Sequence, residues 1–235
     1  MSEQQASRLN LYGGIHKALR AYMSDILNRT ARIDGNDGAD LCAGMQQVRE
    51  LLAFMRKHLQ HESQFVHPAM NARRPGSAQV TEGDHDHHDW AIDKLNALCD
   101  HIEQGSGVKR QLLLDHLNLQ LSVFVGENLV HMNMEETENN AVLWACYTDA
   151  ELIALHDALV ASIPPEEMQI VMRWMLPAVS PAERAGMMMG MRAGMPPQVF
   201  AGMLEFTRSL IPERDMRKLQ AALDGALDAP QALAA

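Results

Sequence analysis

The segment His58-Leu-Gln-His-Glu62 is followed by Ser-Gln-Phe-Val-His-Pro68, and a related segment, His131-Met-Asn-Met-Glu135, occurs later in the chain. Residues i and i+4 of a helix lie on the same face about one turn apart, so each segment presents an imidazole and a carboxylate to one point. Both pairs continue the apolar stripe of their helix. An unpaired carboxylate in a core is costly or becomes neutral. The two pairs therefore predict a metal cation inside a helical protein.

Four long segments carry apolar residues at steps of three and four, which is the period of one helix face. We predict helices over about 5–30, 37–66, 81–104 and 108–135, with Thr81 as an N-cap and breaks at Asp34-Gly35 and Gly105-Ser106-Gly107. No strand-like alternation competes with this pattern. Because four such helices pack most economically as an antiparallel bundle, the predicted fold is all-α, an up-down four-helix bundle over 5–146.

The region 147–235 is predicted to contain shorter helices. Thr148-x-x-Glu151 and Ser180-Pro181-x-Glu183 are typical of capping boxes, which mark helix starts. The methionine run at 187–191 could suggest soft copper ligands, but packing inside a capped helix is the better interpretation. Nothing in this region has catalytic spacing, so we assign it an interaction or bundle-covering role; the interaction would be a homodimer contact or the binding of a protein partner.

The composition excludes several classes of protein. The formal net charge of −10 and the absence of any Lys/Arg run longer than Arg73-Arg74 argue against a nucleic-acid partner. No apolar stretch approaches the length of a membrane span, so we expect no membrane association and a soluble, cytoplasmic protein. Cys42, Cys99 and Cys146 suit reduced, buried thiols rather than a disulfide framework or a zinc site.

Two further histidines are in phase with the apolar stripes of other helices. His16 lies between Tyr12 and Leu19 in the first helix, and His88 is in step with Ile92 in the third. A lone histidine on such a stripe is more often a hydrogen-bonded core residue, but two His-x-x-x-Glu pairs joined by two such histidines rarely arise by chance. Six nitrogen and oxygen ligands, none of them cysteine, exceed the needs of one tetrahedral zinc ion and fit two iron ions with a vacant position.

The residues quoted above resemble the hemerythrin-like HHE cation-binding family. His58–Pro68 is similar to its His-x-x-x-Glu segment with an apolar pair and proline, and His131–Glu136 to the second copy. The stretches 86–95 and 14–20 resemble its third and first helices, so the likeness covers about 8–140. The stretch 173–177 resembles the helical extension of longer bacterial members more weakly. The resemblance implies a four-helix bundle around an oxo- or hydroxo-bridged di-iron pair, with roles in dioxygen, nitric oxide or peroxide handling or in iron homeostasis.

The sequence departs from the oxygen-carrying members in two places. Those proteins have His-x-x-x-His on the third helix and His-x-x-x-x-Asp on the fourth, whereas here Asp84 precedes His88 by four residues and the fourth helix has His-x-x-x-Glu. A simple oxygen-storage role is therefore not implied. A fifth imidazole would have to come from His85 or His61. We expect the remaining histidines to be solvated, surface or ordinary structural residues: His67, His87, His101, His116 and His156.

The leading hypothesis is a di-iron protein that binds or senses dioxygen, nitric oxide or peroxide. In it Glu62 and Glu135 bridge the two irons, and imidazoles complete their coordination, from His16, His58, His88 and His131. A redox enzyme that uses the same centre to reduce nitric oxide or peroxide, or an iron-homeostasis protein, is the alternative. A third class is an interaction module whose C-terminal helices engage a partner.

Overall fold

The computed structural model describes residues 8–228, so the start of the predicted first helix, before Arg8, lies outside the described residues. All regular secondary structure between Arg8 and Asp228 is helical, and this part of the chain contains no strand. The all-α prediction is therefore confirmed. Of the helices between these residues, none is both long and apolar enough to span a membrane.

Four long helices form an N-terminal bundle. They are α1 (Gly13–Thr30), α2 (Gly38–His61), α4 (Gln79–Gln104) and α5 (Gly107–Met134), while the short helices α3 (His67–Arg73) and α6 (Asn140–Cys146) extend α2 and α5. Each long helix packs against the next one along the chain, and α1 also packs against α5, which closes the ring. This is the predicted up-down order.

The helix starts follow local hydrogen bonding. The Asp37 side chain accepts hydrogen bonds from the backbone N–H groups of Ala39 and Asp40, which makes it the N-cap of α2. The prediction that Thr81 caps the third helix is wrong, because α4 begins at Gln79 and the Thr81 hydroxyl donates to the carbonyl of Ala78 instead. The first helix begins at Gly13, later than its periodicity suggested, since the residues from Arg8 to Tyr12 are not helical.

The helix that follows the bundle, α7 (Asp149–Ser162), belongs to the same compact unit, because the chain divides after Pro164. Leu152 packs in an apolar cluster with Tyr12 and Met70. The Arg8 guanidinium contacts the Asp149 carboxylate at 2.6 Å. The compact N-terminal unit is thus longer than the predicted bundle domain, which ended at residue 146.

The C-terminal unit contains α8 (Pro165–Ala178), α9 (Pro181–Gly194), α10 (Pro197–Leu210) and α11 (Glu213–Asp228). Both predicted capping boxes are present, at Thr148 before α7 and at Ser180 before α9. Met188 of the methionine run is fully buried, as packing inside the helix predicted. Cys99 is buried as predicted, but the predicted burial is wrong for Cys42, which is exposed, and for Cys146, which is half-buried. All three cysteines are free thiols.

Arg110 joins two loops at one end of the bundle. Its guanidinium donates hydrogen bonds to the carbonyls of Gly35 at 2.8 Å, Gly105 at 2.5 Å and Ile102 at 3.3 Å. These carbonyls belong to the α1–α2 loop, the α4–α5 loop and the end of α4. Hydrogen bonds from a charged donor are stronger than neutral ones, so this residue ties both loops to the start of α5.

We expect Arg110→Met to lower the free energy of unfolding by about 2 kcal/mol, because three carbonyls lose a charged donor. Urea denaturation followed by circular dichroism measures the change. Lys109→Met is the matched control, since Lys109 is next to Arg110 and its side chain is exposed. This substitution should change the free energy of unfolding by less than about 0.5 kcal/mol. Equal stability of the two variants would contradict this role for Arg110.

Candidate metal centre

The core of the bundle contains two groups of side chains that could each hold a metal ion. One group is formed by His16, His58, Glu62 and Glu135, and the other by Glu62, His85, His131 and Glu135. Within each group the candidate ligand atoms lie within 4.8 Å of one another. Each group combines two imidazoles with the same two carboxylates, so the glutamates are common to both.

Glu62 divides its two oxygens between the groups, whereas Oε2 of Glu135 contacts imidazoles of both groups. Oε1 of Glu62 lies 3.4 Å from Nε2 of His58, while its Oε2 lies 3.4 Å from Nε2 of His85. Oε2 of Glu135 lies 3.4 Å from Nε2 of His16 and 3.3 Å from Nε2 of His131, and its Oε1 lies 3.7 Å from His85. This arrangement suits carboxylates that bridge two ions.

Both glutamates lie at the first residue of a π turn, in which the backbone hydrogen bond spans five residues. The turns are Glu62–Val66 between α2 and α3 and Glu135–Asn139 between α5 and α6. Pro68 favours a wider turn here, because proline provides no N–H and its ring crowds the carbonyl four residues earlier. In the second turn the Asn140 side chain donates to the Glu136 carbonyl at 3.1 Å. Single π turns in helices are frequent at functional sites.

Three of the imidazoles are held from behind through Nδ1, which leaves Nε2 directed at the carboxylates. Nδ1 of His16 pairs with Glu136 at 3.0 Å, and Glu136 in turn pairs with Arg20 at 2.7 Å. Nδ1 of His131 lies 3.2 Å from Asp84, and Nδ1 of His85 lies 2.9 Å from the hydroxyl of Ser63. Such partners orient a metal-binding imidazole and select its tautomer.

The structure brings together six of the eight residues that the sequence nominated. The two outside the groups are His88 and His61. His88 is buried, and its ring centre lies 4.9 Å from that of His131, one turn along α4 from His85. His61 is only half-buried. Of the two options for the fifth imidazole, His85 is the one in the cluster.

The sequence interpretation also missed residues around the cluster. His67 was expected to be a surface or ordinary structural residue, but it is only 1% exposed and its ring packs against His85. The expectation for His87, His101, His116 and His156 agrees with their exposure. Asp84 and Ser63 were not recognised as imidazole partners, because such pairings depend on how the helices are aligned along the bundle axis.

A comparison with known protein families identifies the family of this chain. The model for the hemerythrin HHE cation-binding domain matches residues 10–141, which is more than half of the 235-residue chain. The chain belongs to the hemerythrin HHE cation-binding family. No curated protein and no solved structure matches it significantly. Membership assigns cation binding to this bundle, and the His/Glu cluster in its core lies within the matched residues.

The electrostatics of this hemerythrin-like core are dominated by its two buried carboxylates. Burial and the negative charge of Glu62 raise the pKa of Glu135 to about 8. Burial opposes the protonation of His16 and His85, but the surrounding carboxylates overcome it and raise both pKa values to about 9. Burial lowers the pKa of His58 to about 3. The core therefore holds protons where a cation would stabilise the ionised carboxylates.

The residues present fit a metal pair. Seven of their ligand atoms are buried without a hydrogen-bond partner. These are both oxygens of Glu135, Oε2 of Glu62 and the Nε2 atoms of His16, His58, His85 and His131. Buried polar atoms are nearly always satisfied in folded proteins, so seven such atoms facing one point call for a ligand. Imidazole nitrogen and carboxylate oxygen without thiolate suit iron.

We expect metal binding to release protons at about pH 7, because His16, His85 and Glu135 hold protons there in the metal-free protein and metal ligands are deprotonated. Since these pKa values are raised, protons compete less with the metal as the pH increases, and the affinity for the metal should rise until about pH 9. Calorimetric titration with zinc, a redox-inert probe, in buffers of different ionisation enthalpy measures the release. Heats that do not depend on the buffer would contradict the expectation.

Proposed function

We propose that this protein is a non-haem di-iron protein that binds or senses a small ligand, namely dioxygen, nitric oxide or peroxide. His16 and His58 would hold one iron, and His85 and His131 the other. Glu62 and Glu135 would bridge them. The observation that carries the proposal is the division of the Glu62 oxygens, since Oε1 faces His16 and His58 and Oε2 faces His85.

The protein ligands leave room for a small molecule. Each group supplies four candidate ligand atoms, two nitrogens and two oxygens, and iron in such sites is five- or six-coordinate. The bound iron pair would supply the affinity for a diatomic ligand or peroxide and the capacity to change valence. The chain itself orients the imidazoles through Glu136, Asp84 and Ser63 and keeps water away by burying the carboxylates.

The direct test is metal analysis with optical spectra. Full-length protein purified anaerobically after growth with iron should contain about two iron ions per chain, as four imidazoles and two shared carboxylates predict. Exposure to air should then produce the near-ultraviolet absorption of a bridged ferric pair. Protein that binds no iron, or one ion per chain, would exclude the proposed function.

Two substitutions on α4 distinguish the proposed ligand from its neighbour. We expect His85→Asn to lose about half of the iron, because one ion would lose an imidazole, while the second group keeps its ligands. His88→Asn is the matched control, one turn away and equally buried but outside both groups, and it should keep the iron. Iron content per folded chain, checked by circular dichroism, measures the difference. Loss of iron from His88→Asn with retention in His85→Asn would reverse the assignment.

A further inference from the structure

His67 is a buried imidazole that the proposed ligand set does not use. It is 1% exposed, and neither Nδ1 nor Nε2 has a hydrogen-bond partner in the described part of the chain. A buried polar group without a partner costs about 1–3 kcal/mol, which an apolar side chain of similar size would avoid. The position therefore carries an imidazole at the expense of stability.

The first π turn directs this side chain into the core. In a regular α-helix, residue i+5 lies about 140° around the axis from residue i, so His67 would point away from the face that carries Glu62. Here the backbone N–H of His67 bonds to the carbonyl of Glu62, five residues earlier. The wider turn brings the two residues closer to one face, and both are buried.

His67 lies beside the half of the centre that contains His85 and His131. Its ring centre is 4.6 Å from that of His85, with an angle of 35° between the rings. An imidazole carries at least one N–H donor whether it is neutral or protonated, so His67 offers a donor near this half.

The opposite half has a comparable ring whose hydroxyl oxygen accepts a hydrogen bond. The Tyr12 ring centre lies 5.2 Å from that of His16, at an angle of 36°. Its hydroxyl accepts a hydrogen bond from Asn139 at 3.3 Å, and the same amide lies 3.4 Å from the hydroxyl of Thr81. Both halves thus carry an aromatic ring against a proposed ligand, and of these two rings that of His67 is the one without a hydrogen-bond partner among residues 8–228.

We propose that His67 donates a hydrogen bond to the small ligand that binds at the His85 and His131 side of the centre. This inference rests on the proposed function and specifies the side on which the ligand binds. His67 is not a seventh metal ligand, because it belongs to neither group of converging ligand atoms. Its role is to position the ligand and to stabilise charge that develops on it.

The test uses azide, a small anion that accepts hydrogen bonds, as the probe on the iron-loaded, full-length protein. We expect His67→Phe to bind azide about tenfold more weakly in an absorption titration, which corresponds to about 1.4 kcal/mol for one hydrogen bond. The infrared stretch of bound azide should shift in D₂O in the wild type but not in His67→Phe. His67→Gln retains an N–H donor and should recover part of both effects.

His88→Phe is the control, since His88 is also buried beside His131 with an unpaired Nδ1 but lies outside both groups. Azide affinity and the D₂O shift should be unchanged in it. Equal affinity in the wild type and His67→Phe, or an equal loss in His88→Phe, would overturn the inference while leaving the di-iron proposal intact. Loss of iron from His67→Phe would make His67 a metal ligand and would also overturn it. Wild-type protein without iron would overturn both proposals.

Discussion

The burial of Glu62 and Glu135 at one point is the constraint on which the rest of the bundle depends. The two carboxylates are 3% and 0% exposed, and each lies within 3.7 Å of imidazole nitrogens from neighbouring helices. Two negative charges cannot remain ionised in such a place without compensation. The raised pKa of Glu135 is the response of the metal-free chain. A dication on each side would remove that conflict and satisfy the unpaired atoms together.

The sequence predicts the faces of the helices well and their axial alignment poorly. Periodicity places His16, His58, His131 and both glutamates on core faces, because each is in phase with apolar neighbours along its own helix. On α4 the same argument favours His88, which is in step with Ile92, and admits His85 only as an option for the fifth imidazole. The choice between them depends on how far α4 slides along the bundle axis, which side-chain packing across helices determines and no pattern within one helix reveals.

The π turns explain a second limit of prediction from the sequence. A pattern with 3.6 residues per turn assigns His67 to a face away from Glu62, which is consistent with a surface or structural residue. Pro68 is a signal that the helix must deform nearby, yet the sequence does not specify whether the result is a kink, an end or a wider turn. The turn at Glu135 has no proline at all, and its Asn140 side chain takes over one carbonyl locally. A sequence search based on a constant helical period therefore does not detect residues that point into the core after such turns.

The near-symmetry of the centre also has a consequence for specificity. Both halves present two imidazoles and share the same carboxylates, so the ligand set alone gives a small molecule no reason to prefer either side. The surroundings break this equivalence: Tyr12 is tied to Asn139 beside one half, whereas the nitrogens of His67 are unpaired beside the other. A hydrogen bond in a buried, low-dielectric site strongly favours a ligand that accumulates negative charge. Under the proposed di-iron function, the choice among dioxygen, nitric oxide and peroxide would therefore depend on this outer layer more than on the metal ligands.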